Sequence, residues 1–249
     1  MRPDSSSGSA DRFVSLRWRS IVVQVGLASW IVISAILAGL IFIEIGIVDA
    51  AIEGRPFDLD ALLTNSDRAA VLAGASLVVL IATIVAWWVW QYRGQANLFA
   101  AGRRGLDHRT WGAVGWWLVP IANLWMPFKT VRELWKASEP IESPSEWMGV
   151  PTWRVLGWWW ALWIATTLFG FGFETNETED LSVIRTDNYF VLVGLAISVF
   201  AACLAIGVVR QITERQRALS VVLTTRPLPS RVDDVERSQE AVPSRPDVG

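Results

Sequence analysis

Polar and charged positions are distributed very unevenly along this chain, and four long stretches carry almost none. A helix needs roughly 20 predominantly apolar residues to cross a hydrocarbon core about 30 Å thick. Residues 21–48, 69–90, 155–173 and 189–209 meet that demand, and each is predicted to be a membrane-spanning helix. Helix is required because every backbone N–H and C=O in lipid must find an internal partner. The first run is charge-free over 21–43, well beyond the roughly 7–15 apolar residues of a signal peptide. It reads as a retained span, its start anchored by Arg12, Arg17, Trp18 and Arg19.

Basic residues in short connections resist translocation and so fix orientation. Residues 1–20 hold four; 49–68 hold two against five acids; 91–110 hold four; 174–187 hold one against five acids; the tail from 210 holds seven. This alternation predicts both termini in the cytoplasm of a cell whose plasma or inner membrane holds the chain. A fifth apolar stretch, 111–128 (WGAVGWWLVPIANLWMPF), also lacks charge. If it crossed, the acidic 174–187 loop would be cytoplasmic and the basic tail outside, inverting the rule twice. Pro120 and Pro127 interrupt it, and proline removes a backbone donor. It is therefore expected to dip into or lie along the cytoplasmic leaflet without crossing.

From Ile121, apolar residues recur at Leu124, Trp125, Phe128, Val131 and Trp135, the spacing of one helical face. Lys129, Glu133 and Lys136 fall opposite, as in a helix lying in the membrane plane. That helix should stop near Ser138, before Glu139-Pro140. The fold class expected is an all-α integral membrane protein with four transmembrane helices plus a cytoplasmic-side re-entrant or interfacial segment, 111–138. Residues 1–20 form a disordered cytoplasmic N-terminus, 21–209 the membrane domain, and 210–249 a cytoplasmic tail. The tail extends the fourth helix at first and is expected to be disordered after about 224.

Composition agrees. Hydrophobic residues make up 52% and charged residues 18% of the 249, where a soluble domain carries about a quarter charged. Net charge is −2, so nothing argues for nucleic acid as a partner. A single cysteine, Cys203, excludes an intrachain disulfide and any multi-cysteine metal site. Eleven of sixteen tryptophans fall between 111 and 163. One reading is an aromatic belt at the interface; the other is an aromatic-walled groove holding a lipid or another apolar ligand. The candidate lipid- or ligand-facing residues are Trp116, Trp117, Pro120, Asn123, Trp125, Pro127 and Trp135. Gly115 and Gly157, each preceding a tryptophan run, are expected to let a neighbouring backbone approach.

At these residues the chain resembles a bacterial membrane-protein family, domain of unknown function 4328. The likeness rests on Gly115-Trp116-Trp117, Val119-Pro120, Asn123-Leu124-Trp125, Pro127, Leu134-Trp135 and Ala137-Ser138. Trp153-Arg154, Gly157-Trp158-Trp159-Trp160 and Arg210-Gln211-Ile212-Thr213 extend it, over about 71–216. The resemblance implies a multi-span membrane protein and no activity.

Candidate chemistry is sparse. His108 is the only histidine, so no zinc site or bis-histidine haem is expected. There is no nucleophile elbow and no phosphate-binding glycine loop followed by Lys-Ser/Thr. No cofactor, no metal and no enzyme are expected. Glu44 is the one ionisable residue inside a predicted span. Near the outer end of a long run it reaches headgroups at little cost; if the helix continues past Val48 and Glu44 faces the bundle, it is a proton or cation site. Asn123 is expected to serve backbone groups freed by Pro120 and Pro127. Arg103, Arg104 and Arg109 are expected to contact anionic headgroups, each contributing on the order of 1 kcal/mol. The leading function is a non-enzymatic membrane interaction or regulatory component. Its partners would be membrane lipids, a second copy of the chain or another membrane protein. The alternative is a small-solute or lipid transporter or channel, and behind both stands a lipid-modifying membrane enzyme.

Overall fold

The computed structural model describes residues 13–171 and 180–225. Residues 1–12 and 226–249, expected to be disordered, and part of the acidic 174–187 loop lie outside those residues; the expected disorder of 13–20 is overturned, because α1 already begins at Arg17, Leu16 is buried and Val14 is bonded to Asn97. What is described is helix, turn and connecting coil, with no strand among the described residues. The helices are α1 (Arg17–Ile52), α2 (Leu59–Ala100), α3 (Thr110–Gly115), α4 (Met126–Ala137), α5 (Arg154–Phe171) and α6 (Leu181–Thr225). Short 3-10 turns at Trp116–Leu118, Ala122–Leu124 and Glu146–Gly149 fill the connections.

The two longest N-terminal helices extend well past their apolar runs, and local chemistry sets their ends. Asp58 caps α2, its carboxylate accepting from the Ala61 N–H at 3.0 Å. Both α1 and α2 stop in the same way. Gly54 and Gly102 take φ of 68° and 70°, and their N–H groups donate to Ala51 and Phe99. The next residues, Arg55 and Arg103, donate back to the Ala50 and Leu98 carbonyls. This is a glycine-terminated Schellman closure, which satisfies carbonyls that the helix end leaves open. α4 begins with Pro127 in its first turn and is capped by Ser138, as the Glu139-Pro140 pair predicts.

Three helices, α1, α2 and α6, are long and apolar enough to cross a membrane. In the most apolar 18-residue stretch of each, only 22% (α1), 0% (α2) and 22% (α6) of residues are buried. Apolar surface exposed on that scale marks contact with something other than water. The buried core lies elsewhere, at the end where α1 begins, α2 ends, α5 begins and α6 ends, here called the basal end. Trp90, Leu98, Leu134, Leu156 and Ile212 are fully buried there.

The long helices sit in the spatial order α2–α1–α6–α5. α1 runs antiparallel to its two neighbours. At the basal end the Asn97 side chain pairs with both the N–H and the carbonyl of Val14. Midway, the Trp30 indole N–H donates to Ser198 Oγ, and Asn65 of α2 donates to the Leu40 carbonyl. At the far end Arg185 pairs with Asp49 at 3.3 Å. α1 and α2 approach closely at Gly26, where a Cβ would collide with the Thr83 hydroxyl. The expected close approaches at Gly115 and Gly157 do not occur: a Cβ at either meets nothing within 4 Å. Both glycines lie on outward faces, and the small-residue contacts fall instead at Gly26 and at Gly94, which receives Leu134.

The segment between α2 and α5 stays at the basal end throughout. Hydrogen bonds and ring contacts join it to α2 at Trp87, Gln91, Tyr92 and Gln95, and α4 packs between α2, α5 and α6. One expectation about α4 is overturned. Glu133 does not face outward with Lys129; it is 6% exposed and turned into the bundle. The helix uses its inward face, Thr130, Val131, Glu133 and Leu134, against protein. Polar partners waiting on α2 reverse the ordinary preference for an exposed acid.

Candidate functional site

A row of amides closes the basal end. Gln91, Gln95 and Asn97 of α2 and Gln216 of α6 are at most 1% exposed. The Gln91 carbonyl accepts the indole N–H of both Trp87 and Trp117 at 3.0 Å. Its amino group donates to the Ala113 carbonyl at 3.0 Å and to Thr130 Oγ1 at 2.9 Å. All four hydrogen bonds available to one side-chain amide are made. Gln95 donates to Glu133 at 2.7 Å and to the His108 carbonyl at 2.9 Å. Gln216 donates to the Gly94 carbonyl and Ser138 Oγ, and accepts from Asn97. Four elements are thereby tied to one another by buried side chains that make most of their hydrogen bonds, the Gln95 carbonyl oxygen being left without a partner.

Glu133 is the hub on α4. Besides Gln95, it accepts from the Asp107 N–H at 2.8 Å and faces His108 Nδ1 at 3.1 Å. A carboxylate so placed holds the imidazole and its loop in register. Among the described residues no group of three or more His, Cys, Asp or Glu side chains gathers to hold a metal.

Above this row the tryptophans meet. Trp87 stacks on Trp159 with ring centres 5.4 Å apart, and Trp160 stacks on Trp163 at 4.6 Å. Trp117 stands edge-on to Trp87, Trp160 and Trp163. Four of these rings, Trp87, Trp117, Trp159 and Trp163, line a cavity of about 470 Å³. Leu80, Thr83, Ile84 and Trp88 of α2 form one wall, and Trp163, Thr166 and Thr167 of α5 the other. Trp30 and Leu27 of α1 and the small residues Ala201, Ala202 and Ala205 of α6 form the back. No charged side chain lines it. The void exists because α6 offers alanines where α2 and α5 are held apart by their aromatic rings.

The candidate residues divide. Trp117 and Asn123 line the cavity. Asn123 does not serve the proline-freed backbone: its Oδ1 is shut away with no hydrogen-bond partner, while the turn satisfies itself through N–H donation from Asn123 to Val119 and from Trp125 to Ala122. Trp125 and Pro120 face outward, in a patch with Trp111 (75% exposed), Leu118 and Ile121. Trp116 is half-buried and Pro127 buried. Trp135 is buried in the protein, stacked on Trp153 and covered by the Arg215 guanidinium 3.6 Å from its ring.

Of the three arginines, Arg104 and Arg109 are exposed, whereas Arg103 is not. Its guanidinium donates to the carbonyls of Ala137 (2.9 Å), Ser143 (2.7 Å) and Glu139. That engagement leaves it no reach to a headgroup. Burial pulls its pKa below the ordinary guanidinium value, with Glu139 opposing. Glu44 lies on α1 eight residues before the helix ends and is half-buried against α6, where Asn188 approaches it at 3.4 Å. It sits toward the far end, away from Asn123, so the structure does not bring the two polar candidates together.

Sequence reasoning missed the amide row. Its signal was present as Gln91 and Gln95 one turn apart directly after Trp87 and Trp90, a spacing that places them on one face.

The fold and the exposed apolar helices place the chain in the class of α-helical membrane proteins. More particularly, it belongs to the family defined by the domain of unknown function DUF4328, whose model matches residues 55–214. No curated protein and no solved structure matches the chain significantly.

Proposed function

We propose that this is a four-span, non-enzymatic membrane component that holds the apolar chain of a bilayer lipid in the groove between α2 and α5. For the topology, α5 supplies the fourth span. Its 18 residues rise about 27 Å at 1.5 Å per residue, close to the hydrocarbon thickness. The basal end is the cytoplasmic one, by the count of basic residues. The α3–α4 segment then enters and leaves on that side, with Trp111, Leu118, Ile121 and Trp125 set into the leaflet beside Arg104 and Arg109.

The observation that carries the functional reading is the 470 Å³ cavity walled by tryptophan faces with no charged lining. Ligand sites are concave, mostly apolar and furnished with a few placed polar groups, and this one lies at membrane depth, where acyl chains are the available filler. The separation of Glu44 from Asn123 speaks against a transport path built on both.

The test is lipid retention. After exhaustive detergent exchange, the purified chain should retain about one lipid per molecule by native mass spectrometry. Ala202→Phe, which pushes a ring into the cavity, should lose it while circular dichroism stays helical. Equal retention by both proteins would end the reading.

A further inference from the structure

The polar atoms on the lining of the groove divide into committed and uncommitted ones. Thr83, Thr166, Thr167 and Ser198 each donate to a carbonyl of their own helix, within 2.7–3.0 Å. The Trp30 indole N–H donates to Ser198, and those of Trp87 and Trp117 to Gln91. Asn123 can offer only its amino group, because its Oδ1 is sealed off. The indole N–H groups of Trp88, Trp159 and Trp163 remain, and none of the three has an acceptor among the described residues. Trp88 and Trp163 are half-buried and have other exits. Trp159 does not: it is 3% exposed, stacked on Trp87 and set in the groove wall. Its N–H is nevertheless not sealed as the side-chain oxygens of Gln95 and Asn123 are, so the little surface that the ring keeps includes that group. A buried indole N–H ordinarily finds a partner, and an orphaned donor calls for an explanation. The hydroxyl oxygens could still accept, but an under-used acceptor is the commoner and cheaper condition.

We infer that the groove holds its lipid by an acyl-ester carbonyl, which accepts from the Trp159 N–H while the chain runs along the wall toward Thr167. This rests on the groove reading above. A free donor selects for an acceptor. No charged side chain lines the groove, so a phosphate or carboxylate drawn to Trp159 would lose its hydration with no cation beside it. An ester carbonyl accepts without charge, and it is joined directly to the apolar chain that the rest of the wall takes. The placement suits a lipid of the basal leaflet. Trp87, Trp117 and Trp159 lie at the basal end of the lining, and Leu80, Thr167 and Ser198 at the other. Trp159 stands five residues into α5 from exposed Arg154, about 7.5 Å at 1.5 Å rise per residue. Thr167 is eight residues further on, about 12 Å. The ester end thus sits toward the basal face and the chain points at the bilayer centre. Because α2 and α5 are not neighbours in the bundle, the headgroup leaves sideways through the gap between them.

The experiment uses the full chain in nanodiscs of equal parts dioleoylphosphatidylcholine and its dioleyl ether analogue. The two share the headgroup and the chains and differ in the carbonyls. Lipid that stays on the protein after release from the disc is read by native mass spectrometry for wild type, Trp159→Phe and Ala202→Phe. Phenylalanine keeps an aromatic face against Trp87 and removes the N–H. Wild type should retain the ester lipid over the ether by about tenfold, the worth of one hydrogen bond, and Trp159→Phe should hold both with that preference gone. Equal retention of the two by wild type overturns the carbonyl assignment without recourse to any variant. A preference that survives Trp159→Phe overturns the part given to Trp159. Either result leaves chain binding intact. If wild type retains no more of either lipid than Ala202→Phe, the groove reading falls and this inference falls with it.

Discussion

Replacing Gln91 by leucine isolates what the amide row contributes. Gln91 is fully buried and makes four hydrogen bonds. Leucine has nearly the same reach and none of the polar atoms. Thr130 Oγ1 still donates to the Pro127 carbonyl, and half-buried Trp117 can turn its N–H toward headgroups. Trp87, 7% exposed, and the carbonyl of fully buried Ala113 have no such recourse. Each buried group left unpaired costs about 1–3 kcal/mol. Leucine recovers part of this by adding apolar contact, so the net loss should be about 2–4 kcal/mol. Equilibrium unfolding in mixed micelles of rising SDS fraction, followed by far-UV circular dichroism, measures it. The near-UV tryptophan signal should weaken at the same time, because Trp87 and Trp117 lose the atom that fixes their tilt. Gln24→Leu is the control, since that amide donates only to the Ser20 carbonyl of its own helix. A Gln91→Leu cost no larger than that of Gln24→Leu would refute the claim that the row holds the basal end together.

Three further outcomes are expected. Gly26→Ala should cost about 1–3 kcal/mol, the range for overpacking a filled contact, whereas Gly115→Ala, with open space at its Cβ, should be neutral or stabilising by up to about 1 kcal/mol from helix propensity; the same SDS titration compares them. Arg103→Lys should release the turn after α4, because one ammonium cannot reach three carbonyls in the planar fork geometry, and limited proteolysis between 139 and 149 should speed up several-fold while α6 remains resistant. With Cys203 changed to alanine, a cysteine at Ser143 should react with an impermeant maleimide in inverted vesicles and stay unlabelled in intact cells; labelling from outside would redraw the topology.

The sequence patterning carried the long helices because lipid makes length and apolarity nearly sufficient conditions, but it ended the first two at 48 and 90, short of Ile52 and Ala100 where they stop. The stop at Ser138 was legible from the Glu-Pro pair. What failed to show was anything that depends on what faces what. Glu133 was assigned outward by periodicity alone, which knows nothing of Gln95 and His108, 38 and 25 residues away in the chain. Arg103 looks like its neighbour Arg104 in sequence, yet only one meets three carbonyls. Tryptophan enrichment marked the right region and could not distinguish a ring in the groove, Trp117, from one buried under Arg215, Trp135, or one facing outward, Trp125. Gln216 bonds to Gly94 and Asn97 across some 120 residues, a relation no local pattern encodes.

The stretch shared across the family starts at residue 55, three residues after α1 ends. Yet α1 is the strip between α2 and α6: Val23 is fully buried, Gly26 accepts the shoulder of Thr83, and Val14 occupies both hydrogen-bonding ends of Asn97. A fragment cut at the family boundary would expose that seam along its whole length. The unit that folds is therefore larger than the stretch that the family model matches. A relative lacking an equivalent leading helix has a slot between its second and last long helices to fill, with a segment of its own or with a neighbouring subunit.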